Sequence, residues 1–316
     1  GVRIGPTEIA ALASTGCAQV TVSAIPKVAV VSSGFMGSLS GSAVANTATT
    51  GTFTIPLMRA VGFRPEAAAG IEAAASSGGA LVPPIMGAGA YMMLELVAPP
   101  VTYLEIVRAA LLPALLYYFS LLLVVHLQAR RQGSGGETEL PASAASRWSG
   151  IVFAGAFATL ILLLLLGYTP FRAVSMSLLA ILALAAFRRD TRVGPSGLVK
   201  AAERAAHSGA ALVAAAACVG TIIGVVTLTG VGSKLPGFLL PLAQDSLPLV
   251  LVLLMVSTII LGMGLPSAVC YLLVATLIGP FLGDMGPPPL AGHLFVFYFG
   301  MMSMVTPPVA LAAYTA

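Results

Sequence analysis

The chain has 316 residues, of which 58% are hydrophobic and 8% charged, and carries a net charge of +4. Soluble domains hold roughly 25% charged residues, so this composition, with a mean hydropathy of +1.00, excludes an ordinary soluble protein and predicts a polytopic membrane protein. The small positive balance argues topology rather than nucleic acid, because basic residues collect in cytoplasmic loops of membrane chains.

In chain order, residues 1–27 form an atypical N-terminal segment that begins at Gly1 without a signal-peptide pattern. With its end in the apolar run "LAAYTA", this makes the sequence read as part of a longer polypeptide. The uncharged run Val28–Met58 is interrupted at Ser40-Gly41-Ser42. Each half falls short of the ~20 residues that cross a bilayer, so a re-entrant hairpin is predicted. Ala67–Val97 is interrupted at Ser76–Pro84 and reads as a helix broken at membrane depth. Simple spans follow at about 103–127, 149–168, 171–187 and 205–231, with a flexible linker over 129–148. Within the third connection, Leu198–Gly209 looks amphipathic and is expected at the cytoplasmic interface. Leu247–Leu282 is broken at Gly262–Ser267, and Ala291–Ala316 at Met301–Pro308.

Charges test this segmentation. Arg59 and Arg64, then Arg130, Arg131 and Arg147, then Arg188, Arg189, Arg192, Lys200 and Arg204 all fall on one face. The other face receives Arg108, Arg172 and Lys234 among Glu95, Glu105, Asp245 and Asp284. The basic face is therefore cytoplasmic.

The broken segments recur. Ser42-Ala43-Val44 returns as Ser267-Ala268-Val269 after 225 positions, and Pro83-Pro84 as Pro307-Pro308 after 224. Five crossings separate the two hairpins, so the second copy is inverted. Inverted copies carrying broken helices point to a secondary transporter with its site where the breaks meet. The fold class is accordingly an all-α polytopic membrane protein, an inverted-repeat, elevator-type transporter with two re-entrant hairpins and two broken helices. Its first transport repeat is 28–97, the scaffold and linking helices are 98–245, and the second repeat is 246–316.

Breaks at membrane depth persist only where they are buried in protein or line a polar cavity. Their carbonyls and hydroxyls can hold Na⁺, and amides at a helix start can hold a carboxylate. In the first repeat the candidate substrate- and ion-binding residues are Ser40, Gly41, Ser42, Asn46 and Thr47, faced by Ser76, Ser77, Gly78 and Gly79. In the second they are Gly262, Gly264, Pro266 and Ser267, with Met302, Ser303 and Thr306. Ser42, Asn46, Gly78, Gly264, Ser303 and Thr306 are the Na⁺ candidates. The bland alternative is that Gly and Ser here only permit close helix packing.

Glu72 is the carboxylate placed well inside an apolar helix, four residues before Ser76. It is a candidate proton carrier, against the alternative of a structural hydrogen bond to a neighbouring helix. His126, His207 and His293 fall near span ends and are expected at the interfaces; the three cysteines, Cys17, Cys218 and Cys270, read as small hydrophobes. An intramembrane hydrolase would need a nucleophile paired with a base. No His or Lys lies near the serines of the breaks in sequence, which ranks that class far behind.

Five stretches resemble the large membrane subunit of TRAP (tripartite ATP-independent periplasmic) transporters, the DctM-like proteins, and within them fused permeases of the TAXI type. They are "GFMGSLSGSAVANTATTGTFTIPLM" (34–58), "GIEAAASSGGALVPPIMGAGAYMM" (70–93), "GVVTLTGVG" (224–232), "LGMGLPSAVCYLL" (261–273) and "HLFVFYFGMMSMVTPPVALAAY" (293–314). The resemblance, over about 26–316, implies a multi-pass protein of a prokaryotic inner membrane and no enzyme. It implies import of a carboxylate, an organic acid such as a dicarboxylate or an amino acid, handed over by an extracytoplasmic solute-binding protein. It also implies a small membrane subunit or its fused equivalent as partner, and Na⁺ as coupling ion with H⁺ the alternative. Two Na⁺-site regions follow from it, Ser40–Asn46 with Ser76–Gly79, and Gly262–Ser267 with Met302–Thr306. The sequence departs from a complete fused permease in its length, and neither hairpin tip carries Arg or Lys. An autonomous divalent-anion symporter of the same architecture is the alternative function.

Overall fold

The computed structural model describes residues 20–21, 25–83, 85–131, 137–138, 147–187, 194–229, 246–282 and 288–316. Residues 1–19, Pro84, most of the 129–148 linker and the arginine cluster at 188–192 lie outside the described residues, as do Lys234, Asp245 and Asp284. The regular structure of the described residues is helical except for one two-residue antiparallel ladder, β1 (Val20–Thr21) on β2 (Glu137–Thr138), which ties the N-terminal segment to the linker.

The first run folds as helix, break, helix: α1 (Ile25–Ser40) and α2 (Ala43–Ala60). At about 1.5 Å per residue these are only ~24 and ~27 Å long. The chain reverses at Gly41, whose φ of +64° suits a residue without Cβ, and Ser42 caps α2 by accepting the Ala45 amide at 3.3 Å. Pro65 opens α3 (Pro65–Gly79), since its missing N–H would be unpaired there anyway. Ser76–Gly79, expected at the break, are still helical; the irregular stretch is 80–86, and α4 (Gly87–Leu96) begins beyond it. The helix outlasts the sequence expectation because its α1-facing glycines allow close packing, as described below.

α5 (Tyr103–Arg131) is a 29-residue helix, the one described helix both long and apolar enough to cross a membrane. Its outer face exposes Leu112, Leu116 and Phe119, each about 60% or more accessible, as expected of a lipid-facing surface. α6 (Arg147–Leu165) and α7 (Pro170–Ala186) form a packed hairpin. α8 (Pro195–Thr229) is a single 35-residue helix. It includes the Leu198–Gly209 stretch: no Gly or Pro lies between Leu198 and Ala206 to end the helix, and Gly209 is carried through.

The second copy repeats the first. α9 (Leu247–Gly262) and α10 (Ser267–Leu282) flank a turn at Gly264, with φ +82°. α11 (Pro289–Met302), an irregular stretch over 303–310, and the short α12 (Leu311–Thr315) follow. Among the described residues two other than glycine have left-handed backbone, Met86 and Ala310 (φ 55° and 41°), each just before the helix after a break. They stand 224 positions apart, the Pro-Pro spacing, so the repeat is a match of backbone conformation as well as of sequence.

α1, α2 and α3 pack on one another, as do α9, α10 and α11. An apolar core joins α4, α5 and α9–α11 around Leu81, Met86, Met93, Ile106, Tyr271 and Phe297. A second holds α1–α3 to the end of α5 through Val30, Met58, Phe63 and Val125. A small third cluster, Ala43, Ala73, Met304 and Ala312, closes the first copy against the second.

Candidate functional site

The polar residues of the first copy converge on Glu72, which is 1% exposed. Asn46, Thr50 and Thr54 recur every fourth residue along α2, which places them on one helix face; Glu72 and Ser76 do the same on α3. Gly51 lets α2 approach, since a Cβ there would stand 3.4 Å from Glu72 Cγ. Four hydroxyls then surround the carboxyl group. Ser76 donates to Oε1 at 2.9 Å and Thr50 donates to the same oxygen. Ser33 donates to Oε2 at 2.8 Å and Thr54 at 2.5 Å. Asn46 lies one layer out, its Nδ2 donating to the Ser33 carbonyl at 2.7 Å and to Ser76 Oγ at 2.8 Å. The amide thereby turns the Ser76 hydrogen toward the carboxylate.

Burial of a carboxylate away from water costs several kcal/mol. Hydrogen bonds to a charged group contribute about 1.5–3 kcal/mol each, so a ring of four donors offsets most of it. No cation shares in this: among the described residues the one ion pair joins exposed Arg64 and Glu66. Glu72 is thus buried and, among the described residues, without an ion-pair partner.

Backbone proximity makes the site. Gly37 on α1 meets Gly79 on α3, where a Cβ on Gly37 would lie 2.9 Å from Gly79 Cα. From α5, Tyr117 donates to the Ala74 carbonyl at 2.8 Å and Tyr118 to that of Ala75 at 2.7 Å, their rings seated against Gly78 and Gly34. A helix expected as scaffold therefore clamps the helix that carries Glu72.

Of the residues singled out by sequence, Asn46, Glu72 and Ser76 are brought together. Thr47 and Ser77, each next to a network member, are buried, yet Thr47 Oγ1 and Ser77 Oγ have no hydrogen-bond partner. They stand one turn beyond Ala43 and Ala73, on the faces turned to Met304 and Ala312 of the second copy. Their free oxygens suit a small hard cation. The tip residues act locally: Ser40 bonds the Gly37 carbonyl, Ser42 caps α2, and Gly41 abuts Gly87. Gly78 backs onto Tyr117.

In the second copy Gly262 lies against Ser303 and Cys270, and Ser267 is buried, while Gly264 and Pro266 are exposed. Ser303 donates to the Gly300 carbonyl at 2.6 Å and Thr306 to that of half-buried Met302 at 2.7 Å. None of the described serines at the breaks has a His or Lys partner. Among the described residues no group of three His, Cys, Asp or Glu is placed to hold a metal.

His293 corrects an expectation. It is not interfacial but 1% exposed, with Nδ1 2.8 Å from the Tyr271 hydroxyl, inside the larger core. The Tyr271 phenol meets the imidazole there and is itself packed edge-on with Phe297, and charge position along the chain carries no sign of that. His207 is exposed. Cys270 is buried as expected, whereas Cys218 is exposed.

Ser33, Thr50 and Thr54 were not singled out by sequence, although the four-residue spacing from Asn46 to Thr54 is a signal that could have found the threonines. Tyr271 stands 225 positions after Asn46 and Thr258 the same distance after Ser33, while Val296 and Gly300 stand 224 after Glu72 and Ser76. The acid has no counterpart in the second copy, and among its donors only Ser33 answers to a hydroxyl, that of Thr258.

Two copies of a broken-helix unit, with a buried acid in one, are the pattern that secondary transporters carry. Over residues 16–316 the chain matches the family described as tripartite ATP-independent periplasmic transporter, DctM component, and it belongs to that family. Members are integral inner-membrane permease components that work with a periplasmic binding protein and a small membrane subunit. No curated protein matches the chain significantly.

Proposed function

We propose that this DctM component is the translocating part of a TAXI-type permease that imports an organic acid or amino acid released by an extracytoplasmic binding protein. Uptake is driven by a cation gradient. The two hairpins and two broken helices move the substrate as one body past the simple spans. The observation that carries the reading is Glu72: a buried acid with four hydroxyl donors and no cation is a group whose charge can be changed by a proton. Both its oxygens are filled by donors, which leaves no place in the ring for a metal, so the coupling ion at Glu72 is H⁺.

Na⁺ is the second reading, favoured by the unpartnered Thr47 and Ser77 oxygens. The two separate in proteoliposomes containing the full-length permease and its binding protein, given a panel of carboxylates under a pH gradient or a Na⁺ gradient. Uptake that follows the pH gradient and is lost in Glu72→Gln supports the proton reading. A strict Na⁺ requirement with Glu72→Gln still active replaces it. Full-rate uptake without the binding protein would instead make the chain an autonomous divalent-anion symporter.

A further inference from the structure

We propose that Thr50 and Thr54 are a hydroxyl switch that lets Glu72 gain and lose its proton without water. This rests on the reading of Glu72 as the proton site and names the residues that make it workable.

An ionised carboxylate only accepts, whereas a protonated one must also donate. A ring that only donates would therefore set two hydrogens against each other when the proton arrives. Thr50 and Thr54 escape this because each has a second acceptor within reach. Thr50 Oγ1 lies 2.9 Å from the Asn46 carbonyl, and Thr54 Oγ1 lies 3.0 Å from the Thr50 carbonyl, each four residues back in α2. Rotation about χ1 is not required; the hydroxyl hydrogen alone turns from the carboxylate to the carbonyl.

The balance is simple. A proton supplied by the coupling gradient binds Oε1, forming O–H; the Thr50 hydroxyl, its O–H bond intact, turns its hydrogen to the Asn46 carbonyl; and the new carboxyl O–H donates to the freed Thr50 oxygen. At Oε2, Thr54 and the Thr50 carbonyl do the same. Each carboxyl oxygen thus has one reversible partner, Thr50 or Thr54, and one fixed donor. The fixed donors are Ser76, whose oxygen already accepts from Asn46, and Ser33. Deprotonation reverses the steps, and neither state leaves a buried polar atom of the ring unpaired.

The helices packed around Glu72 bring few other ionisable groups. Tyr118 faces it from α5 with its hydroxyl committed to Ala75, and Tyr117 beside it is committed to Ala74. Lys27 lies in the first turn of α1, Arg59 is exposed at the end of α2, and Glu66 and Tyr314 are exposed. On α11, His293 is paired with Tyr271, and Tyr298 lines a separate apolar cleft against α5.

The test is the pH profile of uptake under an imposed proton gradient. Thr50→Val and Thr54→Val keep shape and lose the hydroxyl; Thr54→Ala is a second variant should a valine not be tolerated. The valine variants lose a donor to the charged form and the acceptor of the protonated one; the bond to the charged form is the stronger, so half-maximal uptake moves to higher pH. Thr50→Ser and Thr54→Ser, which keep the hydroxyl, retain the wild-type profile. The infrared C=O band of the protonated carboxyl, identified by its absence in Glu72→Gln, shifts in the same variants in detergent. A Glu72→Gln protein with no pH response, beside valine variants whose profile and band are those of wild type, overturns the switch and leaves the proton site standing. A Glu72→Gln protein with the wild-type pH response overturns both.

Discussion

Replacing Gly79 by alanine should separate the α1–α3 crossing and dismantle the site beside it. A Cβ on Gly79 would lie 2.6 Å from the Gly37 carbonyl carbon and 2.9 Å from the Gly34 carbonyl oxygen. Both are backbone atoms, so no rotamer relieves the clash. Restoring an ordinary carbon–carbon contact of ~3.5–4.0 Å requires the two helices to part by about 1 Å. Ser33 lies one turn from Gly37, and its 2.8 Å bond to Glu72 would then stretch to about 3.8 Å, past hydrogen-bond range. Overpacking of this kind costs roughly 1–3 kcal/mol, and a charge-assisted bond lost from a buried carboxylate adds about 1.5–3 kcal/mol. A total near 3–5 kcal/mol is expected, read as a shift in denaturant unfolding in detergent, with uptake lost in proteoliposomes. Gly70→Ala on the same helix is the control, because its Cβ meets nothing within 4 Å. It should stabilise by about 0.5–1 kcal/mol through helix propensity alone. If Gly79→Ala unfolds at the same denaturant concentration as Gly70→Ala, the argument that glycine packing sets the geometry of the Glu72 ring is wrong.

Three further outcomes follow from the same geometry. Asn46→Ala removes two buried hydrogen bonds and leaves the Ser33 carbonyl without that donor, so unfolding should shift by about 2–4 kcal/mol, while a mutation on the exposed face such as Thr52→Ala should stay within about 0.5 kcal/mol. Tyr118→Phe removes the bond to the Ala75 carbonyl, a group that also belongs to the α3 helix. The loss should be about 1 kcal/mol, and a larger effect on uptake than on unfolding would mark α5 as a working part of the site. Tyr271→Phe strands His293 Nδ1 in an apolar core and should cost about 1–3 kcal/mol. In a double-mutant cycle with His293→Phe the two losses should be strongly non-additive, and simple additivity would show that the pair is not coupled.

The architecture was legible where the physics is local. Gly41 and Gly264 had to be breaks because residues beside them cannot take that backbone easily, and Pro65 and Pro289 open helices for the same kind of reason. The left-handed residues Met86 and Ala310 stand at the same 224-residue separation as the two Pro-Pro pairs. What escaped was set by distant contacts. Ser76–Gly79 look like a break by composition, yet α3 continues through them because Gly37 and the two tyrosines of α5 lie close around it. His293 looks interfacial by position, yet it is buried because Tyr271 is there to meet it. Glu72 and Asn46 were legible as polar residues in the wrong solvent, but not their order: the direct ligands of the acid are Ser33, Thr50, Thr54 and Ser76, with Asn46 behind them.

The repeat explains the shape of the site, and departure from the repeat explains its chemistry. If both copies carried the same polar set, each bundle would hold an acid and its donors. Instead Ser33, Asn46, Thr50, Glu72 and Ser76 answer to Thr258, Tyr271, Ala275, Val296 and Gly300. The second bundle is filled by Tyr271 and its contacts with His293 and Phe297, which pack as core, and Thr258 Oγ1 is buried there without a partner. Two bundles with one backbone geometry thus divide the work, one keeping a single ionisable acid in a ring of donors and the other giving it a rigid apolar counterpart. Among the described residues Glu72 is the acid held in such a ring, so under the proposed proton coupling the ring carries one side-chain proton per cycle, and further positive charge would have to be held elsewhere, for which Thr47 and Ser77 offer unpartnered oxygens.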